Sequence, residues 1–139
     1  MLDKQNGALT KAILLIDDEK DMDWVMRQIL TDAGYEVLTA KTGAEGLSKF
    51  KKYLKKIGLV LLDIRLPDIS GLDLLSKIKT ISRHTNVLMI TAFGTPGMRK
   101  LAKKKGALDV LDKPFRVEKI LKIAREIFEE KRLGGGQKG

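Results

Sequence analysis

The chain has 139 residues, 43% of them hydrophobic and 32% charged, a net charge of +9 and no cysteine. These values indicate one globular domain with a hydrophobic core and exclude disulfides, thiolate metal ligands and cysteine nucleophiles. No apolar run approaches the roughly 20 residues that span a bilayer, and residues 1–11 lack the apolar core of a secretory signal, so we expect a cytoplasmic protein outside the membrane.

Short apolar runs alternate with amphipathic stretches along the chain, which is typical of βα repeats and a parallel sheet. The predicted strands β1 to β5 cover residues 12–16, 35–40, 59–63, 87–91 and 108–111. The predicted helices α1 to α5 cover residues 22–33, 42–57, 72–81, 95–106 and 117–128. The first helix is marked by apolar residues at helical spacing, and Gly34 follows it as a stop signal. Thr95-Pro96 supplies an N-cap and a proline for the first turn of α4.

The domain organisation follows from these elements. We expect a flexible N-terminal extension over residues 1–10, one domain over 11–132 and a disordered glycine-rich tail over 133–139. Right-handed crossovers leave few topologies for a (βα)5 chain, and the best fit is an α/β, doubly wound, five-stranded parallel sheet. Its flavodoxin-like strand order, 2-1-3-4-5, puts β1 beside β3 at the point where the order reverses.

Four of the apolar runs end on residues suited to phosphoryl chemistry. Asp17-Asp18 follow the first run, Asp63 and Thr91 end the third and fourth, and Lys113 follows the fifth. The carboxyl ends of parallel strands meet at one edge of a sheet, so these side chains converge there. Carboxylates suit a divalent cation such as Mg²⁺, a carboxylate can act as a nucleophile toward phosphorus, and lysine can pair with a phosphoryl oxygen.

Each of these residues also has an ordinary structural interpretation. Asp17 or Asp18 could serve as a helix N-cap. For this pair, the capping interpretation and the metal-binding interpretation are about equally favoured. Thr91 could be a strand-end cap, and Lys113 a surface residue before a proline. The four signals together, each at the end of its own strand, favour a common site.

The basic charge is concentrated in two helical stretches, residues 49–56 and 99–105, which hold ten basic residues and no acid. A solvated helix face is the favoured interpretation, with an electrostatic docking surface as the alternative. No interleaving of arginine and aromatic residues indicates base stacking, so direct binding of nucleic acid is not expected. His84 lies in a polar turn, where an exposed neutral histidine is expected rather than a phosphodonor.

Over residues 11–132 the chain resembles the receiver domains of two-component response regulators. The resemblance rests on four motifs in order: residues 16–19 (IDDE), 62–71 (LDIRLPDISG), 90–94 (ITAFG) and 112–115 (DKPF). It implies that Asp63 is the phosphoacceptor. It further implies that Asp18 binds Mg²⁺ (or Mn²⁺) directly, that Asp17 acts mainly through water, and that the backbone carbonyl of Arg65 is a further metal ligand.

The resemblance also implies how the signal leaves the site. Lys113 would pair with the phosphoryl group, Thr91 would move toward it, and Ala92 would keep the approach open. Receivers carry a switch aromatic three residues before the lysine, but here that residue is Val110, which has no ring to reorient. Phe93 is the candidate substitute, and Phe93 and Arg65 occupy positions that tune hydrolysis of the acyl phosphate. The expected output surface is α4-β5-α5.

The implied partners are a sensor histidine kinase or histidine phosphotransfer protein as donor, and a downstream effector or a missing output domain as target. A monomer and a phosphorylation-dependent dimer are both expected forms. The protein would catalyse only its own phosphorylation and slow dephosphorylation. A phosphohydrolase of the haloacid-dehalogenase type is the alternative, but it requires an aspartate two residues after the nucleophile, where this chain has Arg65.

Overall fold

A computed structural model describes the backbone of residues 11–138, and the side chains of that range apart from 21–23 and 130–138. Five strands alternate with five helices along it. The strands are β1 (Ala12–Ile16), β2 (Glu36–Ala40), β3 (Ile57–Asp63), β4 (Asn86–Thr91) and β5 (Asp109–Asp112). The helices are α1 (Lys20–Asp32), α2 (Gly43–Lys52), α3 (Gly71–Ile81), α4 (Pro96–Lys104) and α5 (Val117–Lys138). Among the helices described, none is both long and apolar enough to cross a membrane.

The strands form one parallel sheet in the order β2-β1-β3-β4-β5, which confirms the predicted topology. Ile16 pairs with Leu62, and Asp63 pairs with Ile90. The carboxyl ends of β1, β3 and β4 therefore lie side by side, and the residues that follow or end these strands share one edge of the sheet.

Both faces of the sheet are covered, which explains why its strands are apolar almost throughout. One face of the sheet, which includes Leu14 and Leu62, packs against α2, α3 and α4. The other face, which includes Leu15 and Leu61, packs against α1 and α5. The loops at the sheet edge are thus anchored on both sides by a continuous core.

Local signals in the sequence explain where several helices begin and end. The side chains of Thr42, Ser70 and Thr95 accept hydrogen bonds from backbone N–H groups in the first turns of α2, α3 and α4. Gly34 and Gly106 follow α1 and α4 with φ of 100° and 106°, a conformation that glycine adopts without strain. The predicted caps at Thr95 and the stop at Gly34 are confirmed.

Two predicted boundaries differ from the structure by more than two residues. Helix α2 ends at Lys52, and Ile57 begins β3 instead of extending the helix, because the turn over residues 53–56 separates the two elements. Helix α5 continues to Lys138, beyond its predicted end at residue 128. The disorder predicted for residues 133–139 stays a prediction. No proline interrupts this segment, but the three glycines at 134–136 disfavour a helix by about 1 kcal/mol each relative to alanine. The predicted extension over residues 1–10 lies outside the described residues, as does Gly139.

Candidate functional site

Three aspartates meet at the carboxyl edge of the sheet. Asp17 and Asp18 follow β1, Asp63 ends β3, and each offers a carboxylate oxygen within 4.8 Å of the others. Asp17 and Asp63 are buried, at 1% and 6% exposure, whereas Asp18 is exposed. Two buried carboxylates with a third beside them repel one another unless a cation balances them, so the cluster has the composition of a divalent cation site.

Lys113 provides positive charge at the centre of this cluster. Its Nζ lies 3.2 Å from Oδ2 of Asp17, 3.2 Å from Oδ2 of Asp63 and 3.3 Å from Oε1 of Glu19. The lysine follows β5, and its backbone N–H donates to the carbonyl oxygen of Thr91 at 2.7 Å. The peptide bond between Lys113 and Pro114 is cis. The ammonium of Lys113, a residue that follows β5, thus bridges the carboxylates of Asp17 and Asp63 at the ends of β1 and β3.

The backbone orients the side chains at the three neighbouring strand ends in the same way. Oδ1 of Asp17 accepts the N–H of Glu19 at 2.9 Å, and Oδ1 of Asp63 accepts the N–H of Arg65 at 2.9 Å. The hydroxyl oxygen of Thr91 accepts the backbone N–H of Phe93 at 3.2 Å. For both aspartates the second oxygen, Oδ2, is the one that faces Lys113.

The pKa shifts follow from burial and from these contacts. Burial raises the pKa of Asp17 to about 6, with the negative charge of Asp63 adding to the rise and the Glu19 N–H and Lys113 opposing it. Burial alone would lower the pKa of Lys113, but the charges of Asp17 and Asp63 outweigh it and the pKa is raised. The ammonium is therefore held in its charged form, and the site favours positive charge.

The alternative in which an aspartate caps α1 is wrong. The N-cap position of that helix is Glu19, whose side chain makes no capping hydrogen bond. Asp17 instead accepts the N–H of Glu19 ahead of the helix, and Asp18 lies exposed beside the cluster. Both aspartates are therefore available to the cluster at the sheet edge.

Thr91 is buried at the end of β4, while the two residues after it, Ala92 and Phe93, are exposed. The ring of Phe93 lies 68% exposed, and the guanidinium carbon of Arg65 sits 5.6 Å from its centroid. A guanidinium over an aromatic ring at this distance is a cation–π contact. Arg65, two residues after Asp63, and Phe93, two residues after Thr91, thus contact each other at the rim of the site.

Val110, at the position where an aromatic was expected, is 3% exposed and packs in the core on the α2–α4 side of the sheet. Its carbonyl oxygen accepts a hydrogen bond from Nη1 of Arg99 on α4, at 2.9 Å. Arg99 also pairs with the carboxylate of Asp112, and Oδ1 of Asp112 accepts the N–H of Gly94 at 3.2 Å. A polar connection therefore joins α4, β5 and the loop after Thr91.

Three supporting residues were missed in the sequence. Glu19 lay within a quoted motif, but its contact with Lys113 had no local signal. Asp68, in the loop after Asp63, accepts the N–H groups of Gly43 and Ala44 at 2.8 and 2.9 Å and so caps α2 across a long sequence separation. Gly71 packs so tightly behind Asp63 that a Cβ there would overlap the Asp63 carbonyl oxygen.

His84 is exposed, as predicted, and lies away from the cluster.

Comparison with known proteins agrees with this geometry. Residues 13–125 match the family model of the response regulator receiver domain. The chemotaxis protein CheY of Thermotoga maritima is 31% identical over 118 residues, which cover 84% of this chain and 97% of that protein. The transcriptional regulatory protein DctD of Rhizobium meliloti is 32% identical over 88% of this chain, which corresponds to 26% of DctD.

A solved structure extends the similarity to three dimensions. CheY of Borrelia burgdorferi, determined in a complex of CheX, CheY, BeF3 and Mg²⁺, superposes with a TM-score of 0.79 at 31% identity. The match covers 84% of this chain and 88% of that one. The fold and the order of its elements are therefore those of a receiver.

Proposed function

The chain belongs to the response regulator receiver family of two-component signalling, and from this premise we propose that it is a phosphorylation-dependent switch with Asp63 as phosphoacceptor. The observation that carries the proposal is the cluster of Asp17, Asp18 and Asp63, in which the ammonium of Lys113 lies 3.2 Å from Oδ2 of both Asp17 and Asp63. Asp63 ends a buried strand, and its Oδ2 faces the ammonium. A phosphoryl group on this oxygen would lie beside a held positive charge.

The proposed reaction is a direct transfer. A carboxylate oxygen of Asp63 attacks phosphorus, an oxygen–phosphorus bond forms, and the bond to the donor's imidazole nitrogen breaks with its electron pair left on nitrogen. Positioning and charge stabilisation account for most of the catalysis in such transfers. Lys113 would then pair with a phosphoryl oxygen, and the hydroxyl of Thr91, at the end of the adjacent strand, would donate to another.

The carboxylates fit a resident Mg²⁺ or Mn²⁺ ion. Asp17, Asp18 and Asp63 would hold it, with the backbone carbonyl of Arg65 as a further ligand, because oxygen donors of this kind suit hard divalent cations. When bound, the ion would supply charge stabilisation for the phosphoryl oxygens. The Borrelia CheY complex, which contains BeF3 and Mg²⁺, supports this assignment.

The same proposal covers partners. A sensor histidine kinase or histidine phosphotransfer protein would act as donor in the cytoplasm, and α4-β5-α5 would contact an effector or an output domain. Leu101 on α4 and Leu108 before β5 are large apolar residues with 42% and 45% exposure, which supports contact at this face. The face could also pair two phosphorylated copies.

We expect no turnover of external substrates, since Arg65 stands where a haloacid-dehalogenase hydrolase needs an acid.

The test is phosphorylation in vitro. Incubation with acetyl phosphate and Mg²⁺ should add one phosphoryl group by intact-mass spectrometry, and EDTA should prevent the addition. Asp63→Asn preserves shape but removes the nucleophile, so it should gain no mass. An unchanged mass of the parent protein, or an equal gain in the variant, would contradict the proposal. Steady release of phosphate from p-nitrophenyl phosphate would favour the hydrolase instead.

A further inference from the structure

A cavity lined by cationic residues lies at the opposite end of the strands from Asp63. Its volume is about 530 Å³, and it opens between the carboxyl-terminal ends of α3 and α4. Helices in a parallel α/β sheet run against the strands, so these helix ends lie far from the strand ends that carry the aspartates. The lining residues are Ser76, Lys79, Thr80, Arg83, Lys104 and Lys105, with Gly106.

The lining carries four cationic side chains and no acid. Within the described part of the chain, none of the four cations lies within 4.0 Å of a carboxylate, whereas Lys49, Lys56, Lys103 and Lys113 all do. Like charges that share a concave surface raise one another's energy, and an anion placed among them removes that cost.

Two of the cations are held in place. Nζ of Lys79 donates to the carbonyl oxygens of Arg83 and Thr85, at 3.1 and 2.7 Å, which leaves one of its three N–H groups for a ligand. Nζ of Lys105 donates to the hydroxyl of Ser76 at 3.1 Å, and so reaches from the end of α4 to α3. A pre-positioned ammonium loses less conformational entropy when an anion binds.

The packing around Lys79 also has the character of a formed site. A Cβ at Gly106 would lie 2.9 Å from Cε of Lys79, and the φ of Gly106 is 106°, so glycine both permits the turn and leaves space for the lysine stem. Lys79 is half-buried, and this burial lowers the pKa of its ammonium. A partly desolvated cation interacts more strongly with an anion than an exposed one.

We propose that this cavity binds a phosphate-bearing anion through Lys79, Arg83, Lys104 and Lys105. The volume falls within the range typical of small-ligand sites, and the arginine can bind two phosphate oxygens at once. No aromatic side chain lines the cavity, so a stacked base is not part of the ligand. The site does not involve Asp63 and is separate from the proposed phosphoacceptor function.

The experiment titrates inorganic tripolyphosphate into Asp63→Asn protein in EDTA by calorimetry, which prevents phosphorylation and metal binding at the acidic cluster. Arg83→Gln with Lys104→Gln removes two cations that make no described contact within the fold. Lys51→Gln with Lys55→Gln removes the same charge from exposed positions near α2. Because charge-assisted contacts to phosphate oxygens are lost, the cavity variant should bind at least about tenfold more weakly and the control variant about as well as its parent.

A second arm uses vesicles that contain phosphatidylinositol 4-phosphate and distinguishes the source of the phosphate. Binding of free tripolyphosphate that the cavity variant alone loses supports a soluble anion. Binding of vesicles alone, with the same loss, supports a lipid headgroup. Equal loss in both variants, or binding of neither probe, would overturn the proposal, because the effect would then be general electrostatics or absent.

Discussion

Nζ of Lys113 and Oδ2 of Asp63 lie 3.2 Å apart, although 50 residues separate them in the chain. The same ammonium lies 3.2 Å from Asp17, so it bridges two buried carboxylates that would otherwise repel each other. Lys113 therefore stabilises these two carboxylates against their mutual repulsion.

Replacing Lys113 with methionine should destabilise the metal-free protein. Removing one partner of a largely buried ion pair leaves uncompensated charge, and we expect a loss of about 3 kcal/mol in the free energy of unfolding. Added Mg²⁺ should restore part of this loss by binding the folded state. Urea titration in EDTA and in Mg²⁺ measures both effects. Lys122→Met on the exposed face of α5 is the control, and an equal loss there would contradict the prediction.

Asp68→Ala should destabilise the protein at neutral pH and less so in acid. The N–H groups of Gly43 and Ala44 hold the pKa of Asp68 below its usual value of 3.8. Stabilisation by a carboxyl whose native pKa is lowered is full above the unfolded pKa and is lost as pH falls through the native pKa. The gap in urea midpoint between parent and variant should therefore shrink from about pH 7 to about pH 3.5.

The control for that change is Glu126→Ala, which removes an exposed acid from α5. Its difference from the parent in urea midpoint should not shrink in the same way between about pH 7 and about pH 3.5. Amide hydrogen exchange gives a second readout, because loss of the Asp68 cap should speed exchange at Gly43 and Ala44 specifically. Unchanged exchange at these two amides would contradict the assigned role.

The contact between Arg65 and Phe93 should slow loss of the phosphoryl group. The ring and the guanidinium touch at the rim of the site, and we expect them to restrict the approach of water to Asp63. Because an exposed cation–π contact contributes about 0.5–1 kcal/mol, Phe93→Ala should shorten the half-life of the acyl phosphate about two- to fivefold. The half-life is followed by mass spectrometry after removal of acetyl phosphate.

A double-mutant cycle separates the contact from the individual side chains. If the pair acts as a unit, Arg65→Ala added to Phe93→Ala should have little further effect, and Phe93→Tyr, which keeps the ring, should resemble the parent. Additive effects of the two alanine substitutions would show that each residue acts alone.

Gly71→Ala should destabilise the fold beneath Asp63. The new methyl group would overlap the carbonyl oxygen of Asp63 and lie 2.6 Å from Cα of Ile64, and both are backbone atoms that cannot move aside. We expect a loss of about 3 kcal/mol in unfolding free energy. Gly97→Ala in α4 is the matched control: nothing lies within 4 Å of its Cβ, so it should gain about 0.5–1 kcal/mol. Equal urea midpoints for the two variants would contradict this prediction.

Much of the site was predictable because its signals are local. Apolar runs followed by Asp17, Asp63 and Thr91 identify strands and strand-end residues, and the strand order then brings them together. Asp68 could not be predicted in the same way. Its partners Gly43 and Ala44 lie 25 and 24 residues away, and the contact depends on the path of the loop after β3.

By itself, the sequence determined the alternation of strands and helices, the strand order and which residues end the strands at the carboxyl edge, because hydrophobic periodicity and crossover handedness depend on local pattern. Tertiary structure alone decided that Lys113 bridges Asp17 and Asp63, that Val110 is buried beneath the Arg99 contact, and that the cations at the ends of α3 and α4 surround one cavity. These relationships join residues from separate elements. Their distances are set by how helices pack on the sheet, which no single segment of the chain encodes.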